Sequence, residues 1–172
     1  IRRIDSQRKN LKKEAEFLTI TNQINVGPKL LGFSKNFLVI EYLDGEKIGK
    51  WINKLKEKPN VAQLKNIIKK TLTDCYKLDK MGLDHGELSN ITKHVIVGKK
   101  ITILDFESSS VDRRVSNVTS ATQAFYIGSG ISKIVNPLCK PSRKSKIISV
   151  LRKYKTDQTK KNFLDLLKVL NL

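Results

Sequence analysis

Residues 83–107 read LDHGELSNITKHVIVGKKITILDFE, and this stretch decides how the rest of the chain is interpreted. Two short apolar runs, at residues 94–97 and 101–104, are separated by a segment that begins with Gly98. Apolar runs joined by a short glycine-containing turn predict a β-hairpin. The hairpin would bring together the two polar segments that lie at its ends.

Polar side chains flank the predicted hairpin on both sides. They are Asp84, His85, Glu87, Ser89, Asn90 and His94 before the first strand, and Asp105 and Glu107 after the second. Carboxylates from a loop and a strand end can hold a divalent cation and orient a hydroxyl nucleophile. Phosphoryl transfer depends mainly on such positioning and charge neutralisation, so this chemistry is predicted here. The alternative interpretation is a solvated loop beside an ordinary hairpin.

The segments HGEL, HVIV and LDFE resemble the catalytic loop, the following strand and the metal-binding turn of the protein-kinase-like superfamily. The resemblance is strongest to archaeal serine/threonine protein kinases related to the RIO and KEOPS-associated kinases. It sets the segment beginning at His85 against the kinase H-R-D-L motif and the segment beginning at Asp105 against D-F-G. It implies an ATP-dependent phosphotransferase with a protein substrate. Asp105 would hold Mg²⁺, Glu87 would receive the proton of the substrate hydroxyl, and His85 would brace the loop.

The sequence departs from the kinase pattern at two positions. Glu87 stands where kinases have aspartate, and Thr92 stands where the resemblance calls for a metal-binding asparagine. Asn90 comes earlier in the loop, whereas His94 directly precedes the strand. Either residue is a candidate second metal ligand, although Mg²⁺ prefers oxygen ligands to nitrogen.

An apolar pattern predicts a helix over residues 6–24, with Asp5 and Ser6 as candidate N-caps. By resemblance, Glu14 matches the glutamate that kinases keep on this helix. The equally open alternative is a solvated charge that pairs with a lysine one helical turn away. The glycine-rich loop and ATP-anchoring lysine do not occur in the sequence. The resemblance would place both before residue 1, so we expect an N-terminally incomplete kinase or a domain that works without them.

Two strands are predicted at residues 29–33 and 36–42. The second, within FLVIEYLDG, resembles the last strand of a kinase small lobe and the hinge that follows it. By that resemblance, Glu41, Tyr42 and Leu43 would offer backbone groups to adenine, and Asp44 would approach the ribose.

The expected fold class is therefore α+β and protein-kinase-like. Residues 1–43 would form a partial small lobe of one helix and antiparallel strands, and residues 44–172 a mainly helical large lobe with the hairpin at the active site. Hydrophobic spacing predicts the remaining helices. They are expected at residues 46–55, 61–81, 117–128, 131–135 (ended by Pro137), 141–154 and a final one around residues 163–170.

Positive charge dominates the composition, with 34 Lys and Arg against 16 Asp and Glu and a net charge of +18. This balance favours RNA or another polyanion as a partner. Two alternatives to the enzyme follow: a non-catalytic kinase-like module that binds RNA or protein, and a basic nucleic-acid-binding protein unrelated to kinases. The most basic segment, and the expected phosphate-contacting one, is residues 140–161.

The two cysteines, Cys75 and Cys139, lack a CxxC spacing, which argues against a zinc site or a disulfide framework. Cys75 falls on an apolar helical stripe and is predicted to lie in the core. No apolar run approaches the ~20 residues of a membrane-spanning helix, so a cytoplasmic protein without membrane contact is expected. The sequence leaves the oligomeric state open.

Overall fold

The structure is a computed structural model that describes residues 11–128 and 130–172. It is α+β, with about 57% helix and small antiparallel sheets, which confirms the predicted class at that level. The candidate N-caps Asp5 and Ser6 lie outside the described residues. In chain order the elements are α1 (Leu11–Gln23), β1 (Leu30–Phe33), β2 (Leu38–Ile40), β3 (Gly45–Lys47), α2 (Ile48–Lys54), α3 (Val61–Met81), a 3₁₀ turn (Leu88–Asn90), α4 (Ile91–His94), β4 (Val95–Gly98), β5 (Ile101–Ile103), a second 3₁₀ turn (Phe106–Ser108), α5 (Asn117–Tyr126), α6 (Ser132–Cys139), α7 (Lys144–Thr156) and α8 (Lys160–Val169).

Helix α3 is the longest of the described helices and carries much of the core. Asn60 caps its start, because the side chain accepts a hydrogen bond from the backbone N–H of Gln63. Gly82 ends it in a left-handed conformation with φ of 76°. Its apolar stripe is buried, and Cys75 is fully buried, as predicted.

The described strands form two sheets. Strands β1 and β2 pair as one antiparallel sheet, and β3, β4 and β5 form the other in that order. The β4–β5 hairpin is confirmed, with Val95 opposite Ile103. Strand β3 is a correction, since a helix was expected to begin at Glu46. Gly45 instead pairs with Gly98, and a Cβ on Gly45 would lie only 2.6 Å from the Val97 carbonyl oxygen.

Helix α2 follows β3 directly and packs against the short helix α4. The two backbones approach closely at Gly49, where a Cβ would lie 2.8 Å from the Cβ of Thr92. Trp51, the single tryptophan, is half-buried on α2. This contact supports α4 and so helps to fix its last residue, His94.

Helix α6 differs from the sequence expectation because it continues through Pro137 to Cys139. Proline removes one backbone hydrogen bond from a helix interior, which usually ends or kinks the helix. Here Val135 and Cys139 lie one turn apart and both are fully buried. Continuing the helix keeps the Cys139 side chain in the core. The free energy gained by this burial opposes the loss of the hydrogen bond at Pro137.

Within the described ranges, no helix combines the length and the apolar character needed to cross a bilayer.

Candidate active site

The open end of the β4–β5 hairpin places two candidate residues side by side. His94 is the last residue of α4 and enters β4 directly, while Asp105 comes two residues after the end of β5. The backbone N–H of Leu104 donates to the carbonyl of His94 at 2.8 Å, which extends the ladder to this point. Strand pairing therefore fixes the separation of the two side chains.

Glu87 completes a three-residue cluster, which we call the acidic–histidine cluster: Glu87, His94 and Asp105. The Nε2 atom of His94 lies 3.1 Å from Glu87 Oε2, and its Nδ1 atom lies 3.9 Å from Asp105 Oδ2. One potential ligand atom from each residue lies within 4.8 Å of the others. Glu87 also accepts a hydrogen bond from the Ser108 hydroxyl at 2.8 Å. This spacing is suited to the binding of one cation.

The His94 ring is buried, whereas the two carboxylates are partly open to solvent. The side chain of His94 is 9% exposed, against 38% for Glu87 and 24% for Asp105. The Nδ1 atom of His94 is buried and has no hydrogen-bond partner among the described residues. A buried polar atom without a partner is uncommon and costly, which marks this nitrogen as a candidate ligand atom.

A cavity of about 490 Å³ opens in front of the cluster. Lys47 and Lys93 also line this cavity, so it holds cationic side chains as well as the two carboxylates. Asn90 also lines the cavity, but its side-chain oxygen accepts a hydrogen bond from the Thr92 hydroxyl at 3.0 Å. The structure thus brings His94 into the three-residue cluster and leaves Asn90 at the cavity wall.

Asp105 adopts a left-handed backbone conformation, with φ of 70° and ψ of 66°. A non-glycine residue in this region costs of order 1 kcal/mol or more, and such residues often cluster at functional sites. The conformation turns the chain sharply from β5 into the 3₁₀ turn at Phe106–Ser108. It is this reversal that directs the Asp105 carboxylate toward His94.

His85 is fully buried and holds the loop to the hairpin. Its Nε2 atom lies 2.8 Å from the Leu104 carbonyl oxygen, and its Nδ1 atom accepts a longer bond from the Glu87 N–H at 3.4 Å. The ring packs edge-on against Phe106 with centroids 5.0 Å apart. Burial lowers the pKa of His85 from 6.5 to about 4. The imidazole is therefore neutral near pH 7 and supports the Glu87 backbone from one side.

Gly86 allows a close approach that no other residue would tolerate. Its φ is 88°, and a Cβ there would lie 2.5 Å from Arg113 Nη2 and 2.8 Å from the Ser108 carbonyl oxygen. Arg113 donates to that same carbonyl at 2.7 Å and to Asp84 Oδ2 at 3.1 Å. The Arg113 guanidinium is thus engaged within the chain.

A buried hydrogen-bond network lies behind the loop and was not predicted from the sequence. Asn117 accepts from the His85 N–H at 2.8 Å and donates to the Leu83 carbonyl at 2.7 Å. Asp79 holds Asn117 in turn, and it also accepts from the Val118 N–H and from the Tyr154 hydroxyl at 2.9 Å. Burial raises the pKa of the Asp79 carboxyl, while these hydrogen bonds act in the opposite direction. The network fixes the backbone from Leu83 to His85, just before Glu87.

Asp84 anchors the same loop from the other side. Its carboxylate accepts from the Ser116 N–H at 3.0 Å, from the Ser116 hydroxyl at 3.2 Å and from Arg113. Its backbone forms a two-bond antiparallel bridge with Ser110. Asp84 was noted in the sequence as one of several loop carboxylates, and its contacts show that it serves the loop itself.

The residues predicted to bind nucleotide lie apart from the acidic–histidine cluster. Glu41 accepts from the Lys29 N–H at 2.9 Å and lies 3.8 Å from Lys100. Tyr42 is 90% exposed, Asp44 is exposed and Leu43 is half-buried. None of these four residues lines the cavity in front of the cluster. Glu14 is buried on α1, the helix that packs against the Phe106–Ser108 turn.

Comparisons with known proteins add little to this geometry. No protein-family model matches the chain. The chain is similar to an uncharacterized protein of Methanocaldococcus jannaschii, with 28% identity over 96 residues that span 56% of this chain and 79% of that protein. The name of that protein states no activity, so any function must be argued from the site itself.

Proposed function

We propose that this protein is an ATP-dependent phosphotransferase that uses a divalent cation and transfers phosphate to a serine or threonine hydroxyl of a protein. The observation that carries the proposal is the convergence of Glu87, His94 and Asp105 at the open end of one hairpin, in front of a cavity. The acceptor follows from the resemblance of HGEL and DFE to kinase motifs. Fold and motif resemblance alone do not specify an acceptor, so this part needs its own test.

The donor set of the cluster fits a divalent cation. Two carboxylates supply the oxygen ligands that Mg²⁺ prefers, and the buried Nδ1 atom of His94 has no hydrogen-bond partner among the described residues. Imidazole with carboxylates is a set that Mn²⁺ also accepts. Of the two carboxylates we assign Asp105 as the oxygen ligand, with His94 as the nitrogen ligand, and we assign Glu87 to the acceptor hydroxyl. When bound, the cation would neutralise charge on the phosphate oxygens.

Glu87 is the best-placed group to receive a proton from the acceptor hydroxyl. It is the most exposed of the three cluster residues and lines the cavity. Its carboxylate contacts two side chains of the protein, Ser108 and His94, and it could exchange one of these contacts for a substrate hydroxyl. His85 and Asn117 keep its backbone in place while it does so.

Lys47 and Lys93 supply positive charge to the cavity. An ammonium group acts as a point charge with three donors, which suits phosphate oxygens. Lys47 and Lys93 are the two lysines that line the cavity among the described residues. We assign them the contact with the transferring phosphates.

The test is calorimetric titration of the chain with ATP, with and without Mg²⁺ or Mn²⁺. We expect binding that requires the cation and is lost in Asp105→Asn. Asp165→Asn is the matched control, since it removes a partly exposed carboxylate from α8. Retained cation-dependent binding in Asp105→Asn would contradict the assignment of that residue. Absence of binding in the unmodified chain would contradict the proposal and favour a non-catalytic module.

A further inference from the structure

A second cavity, of about 890 Å³, lies away from the acidic–histidine cluster, beside the β4–β5 turn. Four parts of the chain form its walls: the end of α1 with the segment after it, Glu41 after β2, one face of α3, and the hairpin turn with the start of β5. It is larger than the cavity in front of the cluster. Five lysines line it, and we call it the lysine cleft. They are Lys29, Lys70, Lys77, Lys99 and Lys100.

A buried carboxylate at the base of the cleft holds two of these lysines in place. Asp74, with 3% of its side chain exposed, accepts a hydrogen bond from Lys70 and lies 3.8 Å from Lys77. Lys77 also donates to the Ile24 carbonyl at 2.9 Å. An ammonium group has three donors, and the Lys70 and Lys77 side chains are still 42% and 38% exposed. Both lysines are therefore ordered and keep donors for a ligand.

The charge of the cleft favours an anion. Asp74 and Glu41 are its acidic lining residues, so five positive charges face two negative ones and leave a net +3. Asn66 and Asn25 add amide groups to the lining. The whole chain carries +18, so its long-range field points the same way.

The lining also indicates what kind of anion fits. The cavity is much larger than a single phosphate, and among the described residues no aromatic side chain lines it on which a nucleobase could stack. Lysines spread over three elements contact phosphates one after another, without reading bases. A small nucleotide would leave most of these lysines unused, whereas a strand would engage them together.

We propose that the lysine cleft binds the phosphate backbone of a single-stranded nucleic acid, without sequence preference. This site is separate from the proposed phosphotransferase site. A strand rises ~3.3 Å per residue, so the turn of the hairpin lies about 10 Å from its open end. The two sites therefore lie at opposite ends of one rigid element. The location differs from the sequence expectation, which placed phosphate contacts in residues 140–161.

The experiment measures binding of a fluorescent 20-nucleotide RNA of mixed sequence by anisotropy, in buffer free of divalent cations and over a range of monovalent salt concentrations. The cleft variant is Lys99→Gln with Lys100→Gln, two exposed positions at the hairpin turn. The matched control is Lys160→Gln with Lys161→Gln, two exposed lysines at the start of α8 that remove the same charge. Thermal unfolding of each variant checks that it is folded.

We expect the cleft variant to bind about tenfold more weakly near 0.1 M salt, with a salt slope lower by about 1.4, as for two lost single-strand contacts. The control should stay within twofold of the unmodified protein. An equal or larger loss in the control, or no RNA binding at all, would overturn the proposal. Inorganic tripolyphosphate is then added as a competitor, at a concentration matched to the RNA in phosphate groups. If the protein binds tripolyphosphate at least as tightly as RNA, the cleft is a site for small polyphosphates and the nucleic-acid proposal is overturned.

Discussion

Two pairs of carboxylates lie within one small region, and their surroundings differ. Asp79 and Asp84 are buried and accept hydrogen bonds from backbone N–H groups of the segment that starts α5. Glu87 and Asp105 are partly exposed and line a cavity together with His94. The first pair fixes the loop and the second pair faces the solvent. Carboxylates that look alike in the sequence thus differ in burial and in hydrogen-bond donors, and we assign a chemical role only to the exposed pair.

The largest expected effect is on stability, from Asp79→Ala. The change leaves buried donors of Asn117, Val118 and Tyr154 without their acceptor, which should lower the free energy of unfolding by about 4 kcal/mol. Glu87→Ala should lower it by less than about 1 kcal/mol, because Glu87 is partly solvated. Urea unfolding of both variants measures this contrast. Equal losses would show that the two pairs do not differ in role.

A pH effect should follow from His85. Its pKa is about 4 in the folded protein and near 6.5 in the unfolded chain, so below pH 6.5 the unfolded chain takes up a proton that the folded protein resists. Stability from this group is therefore full above pH 6.5 and is lost as pH falls toward 4, by about 3 kcal/mol in total. Protonation of Nδ1 would also remove its bond to the Glu87 N–H.

Urea unfolding between pH 7 and pH 5, without divalent cations, measures this dependence. His85→Gln should make the free energy of unfolding depend less on pH than in the unmodified protein. The raised pKa values of Asp74 and Asp79 act with the opposite sign, and they do so equally in both proteins. Identical pH slopes in the two proteins would mean that His85 titrates normally in the folded state.

A substitution in the exposed pair, Glu87 and Asp105, should change the activity and not the stability. Glu87→Gln keeps the shape of the side chain and removes the proton acceptor, so we expect kcat to fall about a hundredfold. The affinity for ATP with its cation should change by less than about threefold, since Asp105 and His94 remain. Phosphate transfer to a serine- and threonine-containing protein substrate measures kcat, and calorimetry measures the affinity. A large loss of affinity with unchanged kcat would reverse this assignment.

The smallest effect is expected from Tyr154→Phe. The hydroxyl donates to Asp79 at 2.9 Å, and its removal leaves the other donors to that carboxylate in place. A loss of about 1 kcal/mol in the free energy of unfolding is expected. Tyr42→Phe is the matched control, since Tyr42 is 90% exposed and should change stability by less than about 0.3 kcal/mol. No difference between the two variants would place Tyr154 outside the network.

The hairpin and the three cluster residues were accessible from the sequence because they depend on short-range pattern. Two apolar runs around Gly98 specify the strands, and His94 and Asp105 follow from their positions at the strand ends. Strand β3 was not accessible, since Gly45–Lys47 contains no apolar residue and forms only because it pairs with β4. Helix α6 was predicted to stop too early because the local effect of Pro137 was weighed without the burial of Cys139.

The supporting network was missed for a different reason. Asp79 bonds to Asn117 and Tyr154, which lie 38 and 75 residues further along the chain. No local pattern joins such partners. One signal was present: Asp79 directly follows Leu78 on the buried side of α3, and an acidic residue in a buried stripe needs a hydrogen-bonding partner.

The close contact between Gly49 and Thr92 links the fluorescence of Trp51 on α2 to the position of α4. Because α2 and α4 touch backbone to side chain, any displacement of α4 would be transmitted to α2. Trp51 lies on α2 and is the single tryptophan, so its emission comes from one half-buried indole. Fluorescence of the unlabelled chain would therefore follow events at the acidic–histidine cluster.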